Sequence, residues 1–553
     1  ALIFLGMNDG WVPKSTGKSG ILSELDRESL EGCGVQLAPG AREEGYIQRF
    51  YLYQNLTKPS ERLCLSYSKS RTDGGAMRPS YIINNLMHLF RHIRVVDEDA
   101  AVHPSARITT PENGVQYLIQ GMREQKQGRA DADWAELYGW YYQREEYKDR
   151  LEKLVEAAFL TQEARGIGAG VAKALYGEVL ENSVSRLEQF AACAFSHFLM
   201  YGLRLGEREE YVFQPVDMGN ILHKVIELFS RRVQAGEYTW FDLPREIQKK
   251  WTDECVEEAL DEIGPDVLQS TARNAYVVER IRRIMQRTVW ALCEQVRAGE
   301  FAPDGYEVSF AVVENLEAVN IALTEKEKMR LKGRIDRIDT CEKEDAVYVK
   351  VIDYKSGNTE FDMVALYYGL QLQLVVYLNA AMELEKRVHP EKEIVPAGIF
   401  YYRMQDPMLD VGEERTPEQI NEEILKKLKP SGLVNDAPEV LKSLDKEMGE
   451  KKGSSVIPVS FTKSGISRYS SVAKKENFEH LSDFVNEKMR KIGKRILAGE
   501  TQSSPYERKG HTACDYCSYR EICGFDTRIP GNEFRRLREY PPEEIWKRIE
   551  EEV

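Results

Sequence analysis

The feature that most limits the fold is a pair of neighbouring stretches, Leu331-Lys-Gly-Arg-Ile-Asp336-Arg-Ile-Asp339 and Val347-Tyr-Val-Lys-Val-Ile-Asp353-Tyr-Lys355-Ser-Gly357. Both alternate and are rich in β-branched residues, so both read as strands. Alternate residues of a strand share a face, which puts Val347, Val349, Val351, Asp353 and Lys355 in one line. That line runs from three core valines into an acid and a lysine. A charged pair at the end of a buried face is costly unless it has partners or a task.

Phosphodiester cleavage supplies such a task. Carboxylates hold hard divalent cations such as Mg²⁺ or Mn²⁺, which polarise phosphate and acidify water. A lysine beside them can steady developing negative charge. Asp336, on the adjoining strand, offers a second carboxylate. Taken alone, the D-x-K tripeptide fits an edge salt bridge at least as well; the G-R-I-D upstream and the helix downstream shift the balance toward a nuclease. That helix is expected over Met363–Leu384 and carries Gln373 and Tyr377, four residues apart and so on one face. A further helix places His223 four residues before Glu227, a pattern that is more often structural than ligating.

Nine cysteines, an odd number in a chain without a basic leader or a run of about 18 apolar residues, argue against a disulfide framework, an export signal and a membrane span. Three of them crowd together as Cys514-x2-Cys517-x5-Cys523. Thiolates so spaced can share one metal centre, which needs a fourth ligand. Two candidates stand out: His511, completing a Cys3His zinc site, and the distant Cys193. Cys193 lies in Ser185-Arg-Leu-Glu188-Gln-Phe-Ala-Ala-Cys193, where Ser185 and Glu188 fit a capping box. By itself Cys193 reads as a core cysteine.

Length argues for two or three domains. Residues 1–95 alternate strands (a buried Leu2–Leu5, then Arg62–Tyr67) with helices (Ile21–Leu30, Glu43–Leu56, and one after Ser80), as in a parallel α/β layer. Residues 96–180 read as a helical connector and 181–553 as the unit that bears the carboxylates and cysteines. Within it, strands are expected near 306–313, 318–323, 329–340, 346–355 and Ala397–Arg403, and residues 434–455 as a mobile loop. Ala1 opens directly inside an apolar run, which suggests residues upstream. Gly17-Lys18-Ser19 mimics a phosphate-binding loop, but Val12 stands where the first glycine is required, so no ATP site is expected there. The net charge of −14 gives no bulk pull on nucleic acid and leaves local patches to supply it. Lys328, Arg330, Lys332, Arg334 and Arg337 crowd one expected strand; Lys488, Arg490, Lys491, Lys494 and Arg495 crowd one helix.

The order His223, then G-x-x-D at Asp336, then D-Y-K-S-G at Asp353 and Lys355, then Q-x-x-x-Y at Gln373 and Tyr377 closely resembles the RecB-type branch of the PD-(D/E)XK nucleases. The resemblance implies an α/β nuclease core in which His223, Asp336 and Asp353 contact the metal, Lys355 assists the attacking water, and Gln373 and Tyr377 support the site. A group of these nucleases carries one cysteine before the histidine and three after the core; on that pattern Cys193, Cys514, Cys517 and Cys523 would bind a [4Fe–4S] cluster that staples the domain.

Phe4-Leu-Gly-Met-Asn-Asp-Gly-Trp-Val-Pro13 and Leu65-Ser-Tyr67 resemble the late, RecA-like part of the helicase-like region in B subunits of AddAB-type helicase–nucleases. Such complexes process double-strand DNA breaks for recombination in the cytoplasm. An A-type subunit unwinds, both subunits cut, and the B subunit trims the 5′-ended strand, a metal-dependent exonuclease acting on single-stranded DNA. The rival expectations are a stand-alone (Cas4-like) iron–sulfur exonuclease, disfavoured by length, a non-catalytic scaffold that binds DNA or a partner, and a zinc protein using His511.

Overall fold

The computed structural model describes the chain except residues 15–23, 72–75, 98–107, 127, 129–131, 160–165, 207–214, 264–271, 311–315, 410–415, 449–452, 464, 528, 530 and 553. Gly17-Lys18-Ser19 therefore lies outside the described residues. The chain forms two compact units, Ala1–Phe159 and Leu160–Val553.

In the first unit, β1 (Leu2–Phe4) pairs in parallel with β2 (Leu63–Leu65), which the alternation of strands and helices predicts. Between them lie α1 (Glu24–Gly32) and α2 (Ala41–Thr57), and α3 (Tyr81–Leu89) follows, with Ser80 accepting a hydrogen bond from the Ile82 amide. Asn8 is buried and ties two loops together: its amide donates to the Ser68 and Arg78 carbonyls and its oxygen accepts from the Ser68 N–H. The expectation that Leu2–Leu5 is buried fails, since Ile3 is 70% exposed and Leu5 72%. Among the described residues this sheet has two strands, too few to cover both faces. Helices α4 (Pro111–Lys126), α5 (Ala132–Tyr142) and α6 (Lys148–Phe159) close a small core around Leu118, Tyr141 and Leu151.

The second unit begins with α7 (Gly168–Tyr176), β3 (Val179–Asn182), α8 (Val184–Ala192) and the short α9 (Ala194–His197). Residues 168–180, read from sequence as connector, belong here because β3 pairs in register with a later strand. Three long helices follow, α10 (Pro215–Ala235), α11 (Arg245–Ile263) and α12 (Ala272–Ala298), and then β4 (Ala302–Ser309), β5 (Asn320–Ala322), β6 (Lys328–Leu331), β7 (Arg334–Glu342) and β8 (Ala346–Lys355).

After β8 come α13 (Met363–Tyr367), α14 (Gln373–Val388), β9 (Glu393–Arg403), α15 (Pro417–Lys427), β10 (Ser431–Asn435) and α16 (Pro438–Leu444). The chain ends through a small hairpin of β11 (Phe461–Thr462) and β12 (Gly465–Ile466), then β13 (Val472–Ala473), α17 (Lys475–Leu497), β14 (Tyr506–Arg508), β15 (His511–Thr512), α18 (Arg520–Cys523), β16 (Arg535–Arg536) and α19 (Pro542–Glu552).

The central sheet has six strands in the order β13-β10-β9-β8-β7-β4; β8 and β9 run parallel, while β7 runs antiparallel to both β8 and β4. Both faces are covered. Val347, Val349 and Val351 pack with Ile399, α14 and α17 in one core, whereas Ile352, Tyr354, Phe400 and Tyr402 pack with α10, α11 and α12 in the other. The alternation in β8 is therefore one of two apolar faces, as a two-sided α/β sheet requires.

Three sequence expectations change. The stretch 329–340 is two strands in different sheets: β6 pairs with β3 and β5, and β7 joins the central sheet. The break falls at Gly333, where a Cβ would sit 2.8 Å from the Phe310 ring. The basic cluster assigned to that strand is dispersed accordingly, with Lys332 paired to Glu181, Arg334 to Glu307, and Arg337 buried against Asp339. The helix expected over Met363–Leu384 is interrupted at Gly369, whose φ of +83° suits glycine, so that α14 starts afresh at Gln373. Of residues 434–455, expected as a loop, 434–435 finish β10 and 438–444 form α16, with Val434, Val440, Leu441 and Leu444 buried; residues 449–452 of that stretch lie outside the described residues.

Candidate active site and cysteine centre

The apolar line of β8 ends as its alternation demands: after Val351, Asp353 is buried and Lys355 half-buried. Lys355 Nζ lies 2.6 Å from Asp353 Oδ2 and donates at 2.9 Å to Gln373 Oε1. Gln373 Nε2 donates to Asp353 Oδ1 at 2.7 Å, and it lies 2.8 Å from the Tyr377 hydroxyl. The first turn of α14 thus clamps the acid–lysine pair at the end of β8. Asp353 Oδ2 is buried and, the lysine contact aside, has no hydrogen-bond partner.

Asp336, on β7, accepts the Tyr354 N–H at 2.8 Å and lies 3.5 Å from His223 Nδ1, which α10 brings across the sheet edge. Sequence reading missed a neighbour. Glu307 of β4 has a donor atom within 4.8 Å of those of His223 and Asp336, and the three form a set that could hold a metal ion. Its backbone sits at φ +48°, a left-handed conformation rare for a glutamate, and its carboxylate pairs with Arg334. The available signal was a lone acid between Tyr306 and Val308 in an expected strand.

The electrostatics fit a cation. Burial, and then the charge of Asp353, hold the Asp336 carboxyl well above the usual carboxylate range. Burial also raises Asp353, against the pull of the Lys355 ammonium, and raises Glu307 against Arg334. His223 is pushed down by burial and then by Lys355, which favours the neutral imidazole that ligates metals. Clustered carboxyls that resist ionisation and a neutral imidazole form a donor set that a divalent cation would satisfy.

A second missed acid is Glu188. Ser185 and Glu188 do not form the capping box expected from sequence: Ser183 caps α8 by accepting from the Arg186 amide, and Glu188 turns to α14. There it accepts the Leu372 N–H at 2.6 Å and the Gln373 N–H at 3.2 Å. Burial pushes its carboxyl up to about 7, outweighing those two bonds.

The structure carries the C-terminal cysteines to the end of α8, where Cys193 lies, although among the described residues no three cysteine sulfurs fall within 4.8 Å of one another. Cys193 closes α8, and burial pushes its thiol up, with the nearby Cys523 thiol adding to the rise. Burial and then the thiols of Cys193, Cys517 and Cys523 push Cys514 up to about 11. Ser196 and Ser503 lie against Cys517 and Cys523, at 3.7 and 3.3 Å. His511 is 79% exposed and pairs with Asp515. The raised thiols of Cys193 and Cys514, each with other thiols as neighbours, suit a shared cationic centre. The basic helix α17 is partly neutralised, with Lys488 paired to Glu552, Arg490 to Glu487 and Arg495 to Glu500. No helix among the described residues is long and apolar enough to cross a membrane.

The two-sided sheet with an Asp–x–Lys strand end is the architecture of one nuclease class, and comparison agrees: residues 181–524 match the model of the PD-(D/E)XK nuclease superfamily, to which the chain belongs. Residues 103–157 match the model of the ATP-dependent helicase/deoxyribonuclease AddB fifth domain. Along its whole length the chain is similar to the B subunit of ATP-dependent helicase/deoxyribonucleases: it is 39% identical to that of Lachnoclostridium phytofermentans, covering 100% of this chain and 47% of that protein. The corresponding figures are 37%, 100% and 48% for Alkaliphilus metalliredigens, and 36%, 100% and 48% for Clostridium acetobutylicum. The chain spans about half the length of the curated relatives it matches.

Proposed function

We propose that the chain is the nuclease-bearing part of a helicase–nuclease B subunit, a Mg²⁺- or Mn²⁺-dependent deoxyribonuclease that hydrolyses single-stranded DNA, in the 5′-ended strand by family resemblance. It would act with an A-type helicase–nuclease subunit on double-strand breaks during recombinational repair in the cytoplasm, with residues 1–95 as part of a RecA-like helicase-type domain. The observation that carries this reading is the pair of half-buried Asp336 and buried Asp353, both held above the usual carboxylate range, with Asp353 beside Lys355 and Gln373.

His223, Asp336 and Asp353 would hold the metal, and Glu307 adds a carboxylate to that set. The ion would polarise the scissile phosphate and acidify water. Lys355 is the cation placed to meet negative charge building on the phosphate oxygens. Gln373 orients Lys355 with its carbonyl oxygen and Asp353 with its NH₂ group, and Tyr377 backs the glutamine. Cys193, Cys514, Cys517 and Cys523 would hold a [4Fe–4S] cluster joining α8 to the C-terminal segment, a long loop closure that favours the folded unit.

Cleavage of an end-labelled single strand, with Mg²⁺ and with EDTA, tests the reading. The wild type should cut only with the metal, and Asp353→Ala should not cut. Equal cleavage by Asp353→Ala would remove the assignment.

A further inference from the structure

The helix that carries Gln373 begins without a capping side chain of its own. Leu372 occupies the N-cap position and has no oxygen to offer the free amides of the first turn. The interruption at Gly369 creates that helix start, and α8 completes it from outside. Glu188 receives both the Leu372 and the Gln373 N–H, placing a carboxylate where the helix dipole favours one.

The second of those amides belongs to the residue whose side chain touches Asp353, Lys355 and Tyr377. A shift of the Gln373 backbone is therefore passed directly to the acid–lysine pair. The support is firm: Leu187, Phe190 and Ala191 of α8 are buried, Arg535 donates to the Ala191 and Ala192 carbonyls, and Cys193 closes the helix. One short helix thus has the cysteine centre at its end and the clamp on Gln373 near its middle.

We propose that Glu188 is a positioning residue of the cleavage site, fixing the start of α14 so that Gln373 holds Lys355 and Asp353 in register. This rests on the reading of that pair as phosphodiester-cleaving machinery. Glu188 touches neither substrate nor metal in this role. Its contribution lies in the rate constant of the chemical step.

The test uses the full chain purified with its cysteine centre, in single-turnover cleavage of an end-labelled single strand at saturating Mg²⁺. Glu188→Ala should lower the rate constant on the order of 10–100-fold, since a misplacement of about 1 Å can cost 10²-fold. Its reaction amplitude, DNA concentration dependence and visible spectrum should match the wild type. Glu188→Gln keeps an oxygen that accepts both N–H groups, so it should recover to within about threefold. Glu188→Asp, one methylene short, should fall between, and it serves as the test variant if the alanine protein does not fold.

Hydrogen exchange of a peptide spanning residues 370–378 gives a readout apart from activity, faster in Glu188→Ala and near wild type in Glu188→Gln. A rate constant within twofold of wild type in the alanine or aspartate variant overturns the proposal. So does a loss confined to amplitude, which would mean fewer folded molecules. A wild type that does not cut with Mg²⁺ overturns the nuclease reading, and this role with it, even where the exchange difference persists.

Discussion

Asp336→Asn separates a functional acid from a structural one. The wild-type side chain is 11% exposed, accepts the Tyr354 N–H at 2.8 Å, and is pushed above the usual carboxylate range by burial and by Asp353. Asparagine keeps an acceptor for that N–H and removes the charge. The folded chain binds a proton at Asp336 more tightly than the unfolded chain does. Wild-type stability from this group is therefore intact below the unfolded value, about 3.9, and is lost as pH rises through the higher folded value.

The variant escapes that loss, so its advantage should be absent near pH 4 and should grow as pH rises. Each tenfold difference in proton affinity between folded and unfolded chain is worth about 1.4 kcal/mol, so the gain grows with pH until the folded group has ionised. Thermal melting in EDTA at several pH values measures it. Mg²⁺ should then invert the order, because a cation at 100 times its Kd stabilises the wild type by about 2.7 kcal/mol and the variant much less. Cleavage by the variant should be lost. A variant that melts below wild type in EDTA at pH 8, or equal stabilisation of both by Mg²⁺, would refute the reasoning.

Other outcomes follow from the same geometry. Lys355→Ala should keep the Mg²⁺-induced rise in melting temperature yet lose on the order of 10²–10³ in cleavage rate, as removal of a transition-state donor does; a rate near wild type would remove Lys355 from the chemistry. The anaerobically purified protein should be brown, with absorption near ~400 nm that collapses on oxidation, as thiolate-bound iron gives; a colourless protein with stoichiometric zinc retained in Cys193→Ser would contradict the cluster. Cys193→Ser should cost several kcal/mol, against about 1 kcal/mol for an average substitution, and expose the second unit to protease; an unchanged melting temperature would argue against a shared centre.

Local features were legible from the residues alone. The period of two in Val347–Lys355 fixed a strand and the face on which Asp353 and Lys355 stand, and the four-residue spacing of Gln373 and Tyr377 fixed their common helix face, because such periodicities follow from backbone geometry. The order of motifs and the cysteine spacing narrowed the class of nuclease. Yet the same residues misled wherever a neighbour distant in sequence decided the outcome. Ser185 and Glu188 have capping-box spacing, but Glu188 finds better donors at the start of α14. Residues 329–340 alternate throughout, but Gly333 meets Phe310 and the chain changes sheet.

It took long-range packing to put Glu307 beside His223 and Asp336, and Cys517 beside Ser196. Those meetings depend on β4 lying at the edge next to β7, on α10 crossing that edge, and on the C-terminal segment returning to α8. Sheet order and helix packing are set by which apolar faces must be buried together across the chain, and no spacing within a segment encodes that choice.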